Sequence, residues 1–192
     1  MSTDIVAQFA DSAVETVDSC TRTVPEEFEA TLSELILEPA VGAPLRTESV
    51  SLEDTAVELD EAVFHQDVTF DDAAVDTDPS VEALDAAETG VTSAGTGIAE
   101  YGTVTVESHP GGDELVSLYP PRHIVVLDAD DIVSDTTAAF DRFETQVREA
   151  RANDEPGATR VLATGVSATA DMGDLVPGVH GPTEVHIVVV ES

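Results

Sequence analysis

The sequence contains no lysine, no tryptophan, a single cysteine and few aromatic residues. Each scarcity excludes something. With Cys20 alone there is no internal disulfide, and no cysteine cluster of the iron–sulfur or zinc type can be built within the chain. Cys20 reads instead as a small buried or half-buried side chain. No apolar run approaches the length needed to cross a bilayer. The N-terminal "MSTDIVAQFADS" carries acids where a signal peptide carries basic residues, so the expectation is a soluble, cytoplasmic protein without membrane insertion. All seven basic residues are arginine; against 40 acidic residues they leave a formal net charge of −33. Phosphates would meet a like-charged surface, which argues against nucleic acid as a partner.

Such acidity has three readings. Disorder fails, because the acids are scattered and uninterrupted apolar runs such as "HIVVL" (His123–Leu127) and "VHIVVV" (Val185–Val190) need a buried home. An acidic surface made for a basic partner does not explain why lysine is missing. Adaptation to molar salt explains both features. There the screening length falls to about 3 Å, so carboxylates no longer repel across the surface. They also hold hydration that the apolar stem of lysine would not, and haloadaptation is the expectation.

What is present reads as one α/β domain of 192 residues. Residues Asp4 to about Cys20 show helical spacing through Ile5, Val6, Phe9, Ala13, Val14 and Val17. "PEEFEATLSELI" (Pro25–Ile36) is a second helix, with Pro25 in its first turn. Residues 1–40 thus form a helical N-terminal portion and 41–192 the α/β part. Within the latter, "SVSLEDTAVELD" and "AVFHQDVTF" suggest short strands among acidic loops, and "PSVEALDAAE" a short helix. Strands are predicted at Gly90–Ala94, Thr103–Glu107, Glu114–Leu118, His123–Leu127, Ala158–Gly165 and in "TEVHIVVVES". An amphipathic helix spans roughly Asp135–Ala152, turning Phe140, Phe143 and Val147 inward and placing Glu144 four before Arg148. The apolar runs of His123–Leu127 and the last strand predict central strands covered on both faces.

Two stretches could carry chemistry. "GTGIAEYGTVTVES" (Gly95–Ser108) holds Gly95, Gly97 and Gly102 around Glu100. It is either a loop that approaches a ligand or a hairpin turn with an exposed glutamate. It is neither a P-loop nor a dinucleotide fingerprint. "TGVSATADMGDLVPGVHGPTEVHIVVV" (Thr164–Val190) places Ser167, Thr169 and Asp171 after a predicted strand. There they would cradle an anion at a strand's carboxyl end or cap a short helix. His180 sits in the rigid turn "GVHGP". The histidines His65, His109, His123, His180 and His186 match no compact metal site, and a Ser167–His180–Asp171 hydrolase lacks a nucleophile elbow.

In order and spacing, "GIAEYGTVTVES", "LYPPRHIVVLDADDIV" and "SATADMGDLVPGVHGPTEVHIVVV" resemble the LutC/YkgG group of LUD-domain proteins over roughly residues 90–192. The resemblance implies a fold like the ribose-5-phosphate isomerase, glucosamine-phosphate deaminase and CoA-transferase group. It implies a role as accessory subunit of the system that oxidises L-lactate to pyruvate. Gly97, Glu100, Gly102 and Thr103 then correspond to the family's turn, His123 to its histidine, Ser167, Thr169 and Asp171 to its loop, and His180 and Gly181 to its last turn. A small anionic ligand would be met there, with Glu100 the candidate catalytic group of an alternative, stand-alone isomerase or CoA-transferase-like enzyme. A purely structural assembly module is the third reading. The chain departs from the group pattern at Tyr101, Val166, Ala168 and Gly173. Ala168 stands where the group has an arginine, so either Arg122 or Arg160 grips the anion in its place or the pocket has drifted. Oxidising lactate moves two electrons to a cofactor. With one cysteine and no flavin or dinucleotide motif, this chain is expected to carry no cofactor itself, and iron–sulfur or flavin centres are expected on partner subunits.

Overall fold

The computed structural model describes residues 4–43, 74–108, 112–154, 159–166, 168–171 and 174–192. The strands expected in "SVSLEDTAVELD" and "AVFHQDVTF" lie outside the described residues, as do His65, His109 and Ser167.

Helix α1 (Ile5–Ala13) starts where the Asp4 carboxylate accepts the Val6 and Ala7 N–H groups. It is shorter than the helical spacing suggested. Val14 is exposed, a turn follows, and Ser19–Thr23 forms strand β1. The threonine-rich "SCTRT" has little helix propensity and gains a neighbouring strand instead. The first forty residues therefore supply a strand of the central sheet as well as helices. After a 3-10 turn at Pro25–Glu27, helix α2 (Phe28–Leu35) buries Phe28 and Leu32. Strands β2 (Ala40–Gly42) and β3 (Val75–Asp76) and helix α3 (Val81–Ala86), capped by Ser80, lead to β4 (Thr89–Ala94).

Next come β5 (Gly97–Ile98), β6 (Thr103–Glu107), helix α4 (Asp113–Leu118) and β7 (Arg122–Asp128). Glu114–Leu118 was expected as a strand; it is helical. The left-handed Gly112 and the acids Asp113 and Glu114 start a helix there. Its backbone lies so close to β4 that a Cβ on Gly90 would come within 2.1 Å of the Val116 carbonyl oxygen. A short 3-10 turn and β8 (Ile132–Val133) precede α5 (Thr136–Ala152), entered as expected through the Asp135 side chain, which accepts the Ala138 N–H at 3.0 Å. Phe143 and Ala139 face inward, but Phe140 is 57% exposed and meets Phe143 edge to face. Strand β9 (Arg160–Ala163), the hairpin β10 (Ala168–Asp171) and β11 (Asp174–Pro177), and β12 (Glu184–Val190) complete the chain.

The central sheet is parallel, in the order β1-β12-β7-β4-β2-β3. The apolar runs fall on its middle strands: Ile187 lies beside Val125, and Val91 beside Ile124. Both faces are covered, as continuous hydrophobicity requires. On one, Val125, Leu127, Ile187 and Val189 pack on Phe9 and Ala13 of α1 and on Val104 and Ile132 of a second sheet. On the other, Ile124, Val126, Val188 and Val190 pack on Phe28 and Leu32. The second sheet has the order β8-β5-β6-β9, and α5 covers its far side through Ala139 and Phe143 against Ile98. No described helix is long and apolar enough to cross a membrane.

Candidate functional site

The glycine-rich stretch begins at the carboxyl end of β4 and runs back along β5. Gly97 is a packing position: a Cβ there would lie 2.7 Å from Leu127 Cδ2 and 3.1 Å from the Phe9 ring. The chain turns through residues 99–102, where Gly102 has φ +64° and a Cβ would meet the Ala13 backbone at 2.3 Å. Only glycine satisfies both demands. Glu100 sits exposed on this turn, its N–H donating to the Ser134 carbonyl and its carboxylate accepting the Tyr101 hydroxyl. That carboxylate raises the Tyr101 phenol above its ordinary range. Thr103 is buried, its hydroxyl 2.6 Å from that of Thr164.

Through this bond the two motif-bearing stretches come together. Gly165, with φ +75°, follows Thr164 and seats its backbone against Thr16, and the Val166 N–H donates to the Thr16 carbonyl. Thr16 lies in the turn that leads into β1, so this junction is at the amino end of the central sheet. The expectation that Ser167, Thr169 and Asp171 follow the carboxyl end of a central parallel strand does not hold. Their preceding strand, β9, belongs to the second sheet and runs antiparallel to β6. Nor do Thr169 and Asp171 cap a helix. Thr169 and Asp171 lie in β10, opposite Val176 and Asp174 of β11.

His123 lies one residue into β7 on the α1-covered face, 4% exposed, with Nε2 2.8 Å from the Thr92 hydroxyl. Burial lowers its pKa from 6.5 to about 4, so the ring is neutral. His180 and Gly181 occupy the exposed turn before β12, anchored where Thr183 and Glu184 donate their N–H groups to the Pro121 carbonyl. The two arginines expected to replace the family arginine are both engaged. Arg122 donates to the Glu184 carboxylate at 2.8 Å and to the Leu35 carbonyl at 2.7 Å. Arg160 donates to Glu107 at 2.6 Å and lies over the Phe143 ring. Neither points a free fork at an anion site.

The carboxyl end of the central sheet holds a residue that sequence reading passed over. Asp128 closes β7, is fully buried, and accepts the Asp130 N–H through Oδ1 at 2.9 Å, while Oδ2 has no hydrogen-bond partner. A buried carboxylate oxygen of this kind accepts a hydrogen bond from any hydroxyl or ammonium that reaches it. Its signal in the sequence was an acid ending an apolar run, "HIVVLDADD". Cys20, half-buried on β1, has its thiol pushed up to about 11 by burial, which suppresses the thiolate a metal or an electrophile would need. Among the described residues, no group of three or more His, Cys, Asp or Glu side chains is arranged to hold a metal ion.

The family model for the LUD domain matches residues 6–190. A protein named Lactate utilization protein C from Shouchella clausii is 32% identical over 118 residues, which are 61% of this chain and 50% of that protein. One of the same name from Macrococcus caseolyticus is 27% identical over 172 residues, 88% of this chain and 71% of that protein. The chain aligns with about half the length of the first of these relatives. A crystal structure of a DUF162-family protein from Deinococcus radiodurans superposes with a TM-score of 0.62 at 22% identity, covering 97% of this chain and 96% of that one. That likeness shows the fold: a mixed α/β domain on a central parallel sheet.

Proposed function

The chain belongs to the LUD-domain family, and from that premise we propose that it is a LutC-type lactate utilisation protein, acting as a non-redox accessory subunit in the oxidation of L-lactate to pyruvate. The observation that carries this reading is the match of the family model to nearly the whole chain, together with relatives that bear the name Lactate utilization protein C. Chemistry supports the accessory part. Two electrons leave lactate, and a chain with one cysteine cannot ligate an iron–sulfur cluster by itself, so the electron acceptors belong on partner subunits.

The geometry favours assembly over catalysis in this chain. Gly97, Gly102, Thr103 and His123 build turns and core, Glu100 stands on an exposed turn, and Arg122 and Arg160 already hold carboxylates. A base or nucleophile at Glu100 would need a desolvated pocket. Glu100 stands exposed on its turn, beside the Tyr101 hydroxyl.

Growth on L-lactate as sole carbon source tests the proposal. A deletion strain loses that growth, and both the intact chain and its Glu100→Gln variant restore it. Undiminished growth of the deletion strain overturns the lactate role. Rescue by the intact chain but not by a stably expressed Glu100→Gln variant overturns the accessory role in favour of an enzyme.

A further inference from the structure

We propose that β9 is a self-association edge, at which two copies of this chain pair antiparallel about a two-fold axis and join their second sheets into one. Strand β9 ends the order β8-β5-β6-β9, and its outer side pairs with no other described strand. Val161 is 47% exposed and Leu162 44%. Apolar, unpaired edges are unusual because they template unwanted pairing, and proteins guard them with charge or by keeping them very short. The other edges of the two larger sheets are guarded. Strand β1 carries Arg22, tied to Glu191 and Asp4. Strands β3 and β8 are two residues long, and acids adjoin both. Strand β9 has neither device: it is longer than β3 or β8, and its one charge, Arg160, is largely buried against Glu107, with 13% of the side chain exposed against 39% for Arg22.

The charge pattern says what covers it. In a chain with 40 acidic residues among 192, residues 156–170 contain none, the longest such run in the sequence. The next longest, residues 115–127, includes most of the buried strand β7, where absence of acids is ordinary, and the end of α4, which exposes Leu115, Leu118 and Tyr119 but no strand edge. An exposed acid-free strand edge on a surface otherwise dense in carboxylates lets a second molecule of the same charge approach without direct repulsion and pair along its backbone.

Backbone geometry supplies a register. Thr105 uses its N–H and C=O on Thr96 and Gly95, on the side of β6 away from β9. The Thr105–Leu162 pair therefore carries no ladder bond, whereas the Ser108 N–H does donate to the Thr159 carbonyl. By alternation, Arg160, Leu162 and Thr164 present their N–H and C=O groups outward. Centring the two-fold on Leu162 pairs it with the Leu162 of the second copy, sets Arg160 against Thr164 and Val161 against Ala163, and brings no like charges together. Exposed Tyr101, near the Thr103–Thr164 bond, frames the same strand end.

This proposal does not depend on the lactate reading. Sedimentation in about 1 M salt, where repulsion is screened, is expected to show a dimer for the wild type and a monomer of unchanged circular dichroism for Leu162→Glu. With Cys20→Ser as background, Leu162→Cys is expected to form a covalent dimer under mild oxidation, because a hydrogen-bonded antiparallel pair holds its Cα atoms about 5.5 Å apart. Val81→Cys, on the exposed face of α3, is not. A wild-type monomer, alone or holding a different chain on this edge, overturns the proposal. So does a Leu162→Glu dimer, or cross-linking of Leu162→Cys no greater than that of Val81→Cys.

Discussion

His123 is half of a buried pair whose stability depends on the ring staying neutral. In the unfolded chain it takes up a proton near pH 6.5; in the fold it does so only near pH 4. Between those values the unfolded state binds more protons than the native state. Stability therefore falls as pH drops through that window and this contribution levels off below it. The gap is worth about 3 kcal/mol at most. A His123→Gln variant, which keeps a polar partner for Thr92, is expected to lose less stability than wild type between pH 7 and pH 4.5. Denaturant titrations in high salt measure this. Equal losses in the two proteins would show that His123 is not the group responsible. Sequence reading could see that His123 opened a buried strand, but not that Thr92 waits beside it, 31 positions away. The same limit hid the role of Gly102, whose neighbour is the end of α1.

At the level of elements, α2 is held to the sheet by polar bonds at its end as well as by Phe28 and Leu32 along its length. Its last carbonyl, Leu35, is one of those a helix leaves without an internal donor. Arg122 at the start of β7 supplies the donor while gripping Glu184 at the start of β12. The segment leaving the helix is then stitched to β4, where the Thr89 hydroxyl accepts the Leu37 N–H and donates to the Leu37 carbonyl. Arg122→Met is expected to cost roughly 1–2 kcal/mol, since it leaves a part-buried carbonyl and a carboxylate without their donor. Arg148→Met, which removes an exposed pair with Glu144 on α5, is expected to cost less than about 0.5 kcal/mol. Equilibrium unfolding of the two variants side by side checks the ranking, and equal costs would refute this account of how α2 is fixed. Helical spacing and capping made α2 and α5 legible in advance. The α4 segment was misread because a stretch as short as "ELVSL" suits either period; the left-handed Gly112 before it and its backbone contact with Gly90 go with the helix.

The whole molecule carries a charge of −33 on a fold whose core is ordinary. Repulsion on that scale opposes compaction, and salt is what relieves it. Dialysis from about 1 M salt, where the screening length is about 3 Å, to below about 0.1 M, where it is about 10 Å, is expected to unfold the protein. Far-UV circular dichroism would follow the loss and its recovery when salt is restored. An unchanged spectrum at low salt would refute haloadaptation. Four of the described arginines, Arg22, Arg122, Arg142 and Arg160, meet a local need, at Glu191, Glu184, Asp131 and Glu107.

By itself the sequence determined the chemical class of the surface, the two central strands and the longest described helix. These are properties of composition and period, and each is local. Which strand faces which was decided only in three dimensions. Strand β9 read as a strand with a candidate anion-binding loop at its carboxyl end. Pairing placed it antiparallel at the rim of a second sheet, so its loop turned towards the opposite end of the molecule. A strand's own residues specify that it is extended and which face is apolar. Its direction and its neighbours depend on contacts across 50 or more positions, such as Glu107 with Arg160, that no local pattern encodes.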